Sequence, residues 1–340
     1  MELTPALGAR FVPRGGVLAI GVDVAWWGGS AKCESAQTET LASAVRKGGR
    51  WRDFGFQRIQ LTPTPEAARD RFTANADPEA EDLARAIAAL TRAHRGVAHV
   101  VVGLDAPLLA RPRPNLPKRS RETMKPGSCA DRACEVAFRA SVKPSPKGWR
   151  SVNIQPGAPL FPRVERLVAA LGKHRFRVYE GPSKALPPRV LVECFPNDAL
   201  WSAGVLGARF AGFTFRDVAS YKKLGRVAKV WPASALRAMT DLYVRPVAEI
   251  AGLDATTTDT LLDRMWTFFA SDAHLTGGSR GVGGSRGVGA VVVSKALDDA
   301  LDSTLTLLCA IALADGRAHV HIGDDPRDGH VVGPGLPPHG

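Results

Sequence analysis

The run Val17-Leu-Ala-Ile-Gly-Val-Asp-Val-Ala-Trp26 is almost wholly apolar and carries one acid, Asp23, near its far end. An apolar run of this length reads as a strand buried on both faces, at the centre of an α/β sheet. A carboxylate at the lip of such a strand is costly to desolvate. Three further places repeat the pattern. Asp105 ends Val100-Val-Val-Gly-Leu-Asp105, and Glu193 lies inside Val190-Leu-Val-Glu-Cys-Phe195. Asp298, Asp299 and Asp302 open an apolar helix expected over residues 295–314. Acids on separate strands and a late helix build an oxygen-only site of the kind that suits Mg²⁺ or Mn²⁺.

Around the first strand the chain reads as strand, hairpin, helix, strand. Residues 51–61 supply a strand with Phe54, Phe56 and Ile59, closed by Pro63 and Pro65. Asp77-Pro78 starts a helix to about His94, with Leu83, Ile87 and Leu90 on one stripe. A buried strand follows over 99–104. This is an α/β fold with mixed strand direction. A short helix is expected at 162–171, strand-like residues at 176–179 and a buried strand at 190–195. Residues 197–275 read as a mainly helical insertion, including 217–224 and 256–273. The tail from His319 to Val332 reads as a hairpin around a Pro/Asp/Gly turn. Residues 1–15 read as a loose leader and 16–335 as a single domain.

Two segments differ in character. Residues 111–150 hold eleven Lys/Arg against three Asp/Glu, a net of +8, and six prolines break regular structure. Only Cys129–Ala140 looks helical in this basic insertion. Residues 277–288 repeat Gly-Gly-Ser-Arg-Gly-Val twice, and the Gly-rich loop of 277–289 lacks the Gly-Lys-Ser/Thr of a phosphate loop. It reads as a duplicated flexible connection.

The whole chain has 340 residues, 45% of them hydrophobic, and a formal net charge of +12. A basic surface favours polyanions, nucleic acid (DNA or RNA) first among them. The five cysteines are scattered and odd in number, with no CxxC pair and no zinc spacing. They read as reduced thiols of a cytoplasmic protein. No apolar stretch approaches the ~20 residues of a membrane span, so no membrane association is expected. The absence of GxSxG removes the support for serine catalysis.

Within the acidic series, Asp299 and Asp302 share a helix face at i, i+3, and Asp298 and Asp302 do so at i, i+4. Both registers remain open. Each acid alone has a structural explanation: turn ordering for Asp23 and Asp105, ion pairing for Glu193, the helix dipole for Asp298 and Asp299. Asp302 lies past the range of the dipole. Together the acids favour two divalent ions ~4 Å apart, which activate a water and stabilise the leaving oxygen of a phosphodiester.

The ordered pieces resemble a family. They are Gly21-Val-Asp-Val-Ala-Trp26, Gly103-Leu-Asp-Ala-Pro-Leu108, Arg132-Ala-Cys-Glu135 with Arg139, and Val192-Glu-Cys-Phe-Pro196. Tyr221-Lys222, Asp298-Asp-Ala-Leu-Asp302 with Cys309-Ala310, and Ile322-Gly-Asp324 with Gly329 complete the set. In this order they are similar to the domain of unknown function 429 family, predicted nucleases of the RNase H-like superfamily. The resemblance implies a mixed five-stranded sheet flanked by helices, with helical and irregular insertions. It implies Asp23, Asp105, Glu193, Asp299 and Asp302 as catalytic metal ligands for Mg²⁺ or Mn²⁺. The expected activity is metal-dependent hydrolysis of nucleic acid. Arg132 and Arg139 share a helical face and, with Lys222, are candidates for phosphate contact.

A competing reading is a non-catalytic nucleic-acid-binding protein of the same fold, which keeps the basic surface and needs no metal. An actin-like phosphotransferase would need Gly-rich phosphate loops beside two strand-end acids, for which Gly28-Gly29 is a thin candidate. The eight histidines form no HExxH set. His319 and His321 lie on one strand face and are not expected to ligate metal.

Overall fold

Every residue of β2 (Val17–Asp23) is buried, as its unbroken apolar run requires. The computed structural model describes residues 4–7, 12–24, 38–60, 78–108, 134, 137–138, 160–206, 231–271, 290–291, 295–322 and 329–335. Before β2 lies the short β1 (Thr4–Pro5); after it come β3 (Thr38–Lys47), β4 (Arg50–Gln60), α1 (Pro78–Ala93) and β5 (His99–Leu104). The middle of the chain gives α2 (Leu160–Gly172), β6 (Arg177–Val178), β7 (Arg189–Cys194) and α3 (Pro196–Leu206). Then follow β8 (Trp231–Pro232), α4 (Ala233–Ala251), α5 (Ala255–Ser271) and β9 (Ala290–Val291). Last come α6 (Lys295–Ala314), β10 (Ala318–Ile322) and β11 (His330–Pro334).

The main sheet is mixed and runs β1-β10-β11-β7-β5-β2-β3-β4, with β6 paired to β7 beside this path. β2, β5, β7 and β11 are mutually parallel neighbours, whereas β3, β4 and the β10–β11 hairpin add antiparallel pairs. The hairpin between β3 and β4 turns on Gly48 and Gly49 at φ 59° and 76°. Two consecutive residues in that region are what a type I′ turn demands.

Among the described residues the sheet has nine strands, not the five expected. The additions come from both chain ends and from β6. Thr4–Leu7 is not a loose leader: β1 pairs with β10, Ala6 N–H donates to Ala318 O at 2.8 Å, and Ala6 and Leu7 are buried. The tail hairpin extends the sheet beyond β7, with β11 parallel to β7 and β10 antiparallel to β11. Of the basic segment 111–150, residues 134, 137 and 138 are described, all helical. Arg132, Arg139, the expected helix at 217–224 with Lys222, and the Gly repeat lie outside the described residues.

Helices cover both faces. Leu18, Ile20, Val22, Val100, Val102, Leu104 and Leu191 point to one side, where α1 and α2 pack. Val17, Ala19, Val101, Val190 and Val192 point to the other, against α6 and the α3–α5 layer. From Ala300 to Ala314 every residue of α6 is buried. A helix that is apolar all round belongs in a core. Its hydroxyls are satisfied within the helix: Ser303 and Thr304 donate to Ala300 O at 3.0 and 2.7 Å, and Thr306 to Asp302 O at 2.8 Å. Among the described residues no helix is long and apolar enough to cross a membrane.

The far end of α6 is clamped by charge. Arg46 of β3 donates to Asp315, to Ala314 O at 3.1 Å and to Pro13 O at 2.6 Å. Trp51 Nε1–H donates to the other Asp315 oxygen at 2.7 Å. Removing the carboxylate leaves a nearly buried guanidinium without its counter-ion. Asp315→Ala is therefore expected to lower stability by about 3 kcal/mol, read as a reduced urea midpoint at unchanged slope.

Candidate metal centre

Two glycines decide where the acids meet. A Cβ on Gly21 of β2 would overlap the backbone of Leu307 and Ser303 in α6. One on Gly103 of β5 would stand 2.8 Å from Thr306 O and 3.0 Å from Cys194 Sγ. With hydrogen in those places, the α6 backbone lies directly on β2 and β5. Strand alternation does the rest. Asp23 is two residues beyond Gly21, and Asp105 two beyond Gly103, so both carboxylates stand on the α6 face. The ladder continues to this level, since Asp105 N–H donates to Val22 O at 3.0 Å. Asp302 precedes Ser303, the residue pressed on Gly21.

Asp23, Asp105 and Asp302 converge as a result: one carboxylate oxygen from each lies within 4.8 Å of the others. The three residues are 7%, 4% and 5% exposed. Packed carboxylates in a low-dielectric spot favour a cation among them. The donors are all oxygen, the preference of Mg²⁺ and Mn²⁺. Thr40, the register partner of Asp23 on β3, is 1% exposed, and its Oγ1 has no hydrogen-bond partner. A buried hydroxyl left over beside the acids suits a hydrated ion. The set therefore fits a divalent cation. One step further along the same row, Arg58 of β4 is the register partner of Thr40. This places a guanidinium-bearing residue two strands from Asp23 on the same sheet face.

Glu193 and Asp299 do not join this cluster. Glu193 pairs in register with Leu104, whose side chain faces α1 and α2. Register partners share a face, so Glu193 leaves β7 on the side opposite Asp23. Its Oε2 accepts a hydrogen bond from Leu108 N–H at 2.7 Å. That bond pins the turn that immediately follows Asp105, which gives Glu193 a positioning role. Asp299 is buried, 5% exposed, but sits one turn nearer the start of α6. Three residues are about 4.5 Å of helix rise, and its carboxylate is not among the three that meet. The side chain of Asp298 lies outside the described residues.

The position of Glu193 has a measurable consequence. Glu193→Gln keeps an acceptor for Leu108 N–H but loses the charge that strengthens the bond. Its expected effect on divalent affinity is roughly tenfold, in the range of outer-shell replacements. Asp23→Asn should cost far more in the same calorimetric titration.

A second convergence was not anticipated from sequence. His319 Nε2 is 3.2 Å from Asp198 Oδ2, His321 Nε2 is 3.1 Å from Asp198 Oδ1, and the two Nε2 atoms are 3.2 Å apart. Asp198 and His319 are 0% exposed and His321 is 4%. Burial opposes ionisation of Asp198, but the charges of His321 and His319 and their hydrogen bonds outweigh it and hold the carboxyl well below its usual range. Burial likewise disfavours the charged form of His319, and Asp198 reverses the balance so that the ring holds a proton more tightly than usual. The shared face of His319 and His321 was legible from their i, i+2 spacing. Their partner, in the first turn of α3, was not.

Between the two clusters lie buried thiols. Burial pushes the Cys309 thiol up, helped by hydrogen bonding with Cys194 and by the charges of Asp198 and Asp105. Cys134, Cys194 and Cys309 are buried thiols outside any disulfide. No protein-family model, curated protein or solved structure matches this chain.

Proposed function

We propose that the chain is a metal-dependent nuclease of RNase H-like fold, akin to the domain of unknown function 429 family. Asp23, Asp105 and Asp302 hold Mg²⁺ or Mn²⁺. The observation that carries this reading is the convergence of these three buried carboxylates from β2, β5 and α6. The sheet order supports it: the hairpin strands β3 and β4 on one side of β2, parallel β5 and β7 on the other. That arrangement puts strand-end acids beside a helix crossing the central strand.

When bound, such ions lower the pKa of a coordinated water and stabilise charge on a phosphodiester. The protein's own contribution is positional. Gly21 and Gly103 let α6 bring Asp302 to the strand ends. Glu193 fixes the turn after Asp105. The buried setting strengthens each charge interaction. Arg58 on the same face and the +8 segment at 111–150 supply cations for a phosphate backbone. Contacts of that kind hold nucleic acid without reading its sequence, in a soluble cytoplasmic setting.

The test is a panel of single- and double-stranded DNA, RNA and hybrid duplex, each with Mg²⁺, Mn²⁺ or chelator. Cleavage of at least one substrate with metal, and none with chelator, is expected. No cleavage of any substrate would overturn the enzymatic reading; retained salt-dependent binding would then favour the non-catalytic nucleic-acid-binding alternative.

A further inference from the structure

We propose that Asp198, His319 and His321 form a second metal site, for one transition-metal ion of the Zn²⁺ type. It is separate from the carboxylate centre in residues and in chemistry. The site joins the first turn of α3 to the tail strand β10, and the proposal does not rest on nuclease activity.

The geometry is that of a ligand triangle. The two Nε2 atoms stand 3.2 Å apart, each faces its own oxygen of Asp198 at 3.2 Å (Oδ2) and 3.1 Å (Oδ1), and one ligand atom from each residue lies within 4.8 Å of the others. A tetrahedral ion with arms of ~2.0–2.1 Å has ligand atoms about 3.3 Å apart, which the 3.2 Å between the two Nε2 atoms matches. Two imidazoles and one carboxylate are the donor set of many zinc and non-haem iron centres. Nitrogen ligands suit such ions far better than Mg²⁺.

The tautomer of His319 is set from outside the triangle. Its Nδ1 lies 2.9 Å from Gly335 O, an acceptor only, so Nδ1 carries the proton and donates. In the neutral ring the Nε2 lone pair then points at Asp198 and at the Nε2 of His321. A backbone carbonyl holding the far nitrogen of a ligating histidine is the usual support of a metal-bound imidazole.

The surroundings leave room for the cluster. Gly333 of β11 is the register partner of His319, and a Cβ there would overlap Asp198 Oδ2 and stand 2.5 Å from the His319 ring. A side chain at that position would fill the space the ligands occupy. Phe138 packs edge-on against His321, with ring centroids 5.0 Å apart, and also meets Phe195 at 5.8 Å. Three protein ligands leave the fourth position of a tetrahedral ion to a water, inside a site that is almost fully buried.

The experiment uses the full-length protein, stripped with chelator and titrated with Zn²⁺ against a chromophoric competitor. Native protein and Asp23→Asn are expected to bind one equivalent alike. His321→Gln and Asp198→Asn should weaken that binding at least about a hundredfold. Equal tight binding by native and His321→Gln protein would overturn the proposal, as would no tight binding by native protein. If either variant fails to fold, X-ray absorption of the zinc-loaded native protein decides. Two imidazole shells with oxygen support the site. Sulfur scattering would move the ion to Cys194 and Cys309, and an all-oxygen shell would move it to the carboxylate centre; both overturn it. Loss of zinc binding in Asp23→Asn would instead show one shared centre and overturn the separation.

Discussion

Asp23→Asn is expected to abolish divalent-dependent cleavage while the protein stays folded. Several kcal/mol of transition-state stabilisation by a bound ion correspond to at least about a thousandfold in rate. The fold should not suffer, because the change removes one of three carboxylates that crowd within 4.8 Å. Relief of their repulsion favours the metal-free protein. The two effects separate in a thermal scan. Native protein should gain stability with Mn²⁺, about 2.7 kcal/mol at a hundredfold excess over Kd, whereas Asp23→Asn should gain little. Full cleavage by Asp23→Asn, measured with the same substrate and ion, would end the proposed assignment. Asp105→Asn and Asp302→Asn should behave alike, since the three form one site; Asp299→Asn should be much milder.

Gly21→Val is expected to be the most disruptive single change to the fold. The added atoms would meet the backbone of Leu307 and Ser303, which belongs to a helix buried on all sides. Overpacking a core by a few carbons costs about 1–3 kcal/mol, more where no side chain can move aside. Here the neighbours are main chain, and α6 is held at its far end by the Arg46–Asp315 clamp. A loss of about 3 kcal/mol or more should appear as a clearly lowered urea midpoint. A shift of α6 would also carry Asp302 away from Asp23, so divalent binding should weaken in any variant that still folds. Gly96→Ala is the control, since a Cβ there meets nothing within 4 Å. If Gly21→Val matched that control, the close packing of α6 on β2 would not be what positions Asp302.

The candidate site was legible in part because its chemistry is local. Asp23 and Asp105 each end an apolar strand, and Asp302 lies a turn inside an apolar helix, so all three stood out by the cost of their placement. Glu193 stood out in the same way and was misplaced. Its distance from Asp23 depends on which residue of β5 it opposes, and pairing with Leu104 turns it to the other face. A one-residue difference in register reverses every side chain of a strand. Asp299 shares a helix face with Asp302 by spacing, but a shared direction does not bring both carboxylates to one point.

What the sequence determined by itself is what short-range physics controls. The apolar run at 17–22 made a central strand, the Lys295–Ala314 helix ran where its periodicity predicted, and alternation put His319 and His321 on one face. What the tertiary structure alone decided is which distant pieces touch. It added β1, β6, β10 and β11 to a sheet expected to have five strands. It also set Asp198 against two histidines more than a hundred residues away. The physical reason is that pattern and propensity act within a few turns of chain, whereas register and close approach are fixed by packing. At Gly21 and Gly103 that packing turns on the absence of a single carbon, and it brings Asp23, Asp105 and Asp302 to one place.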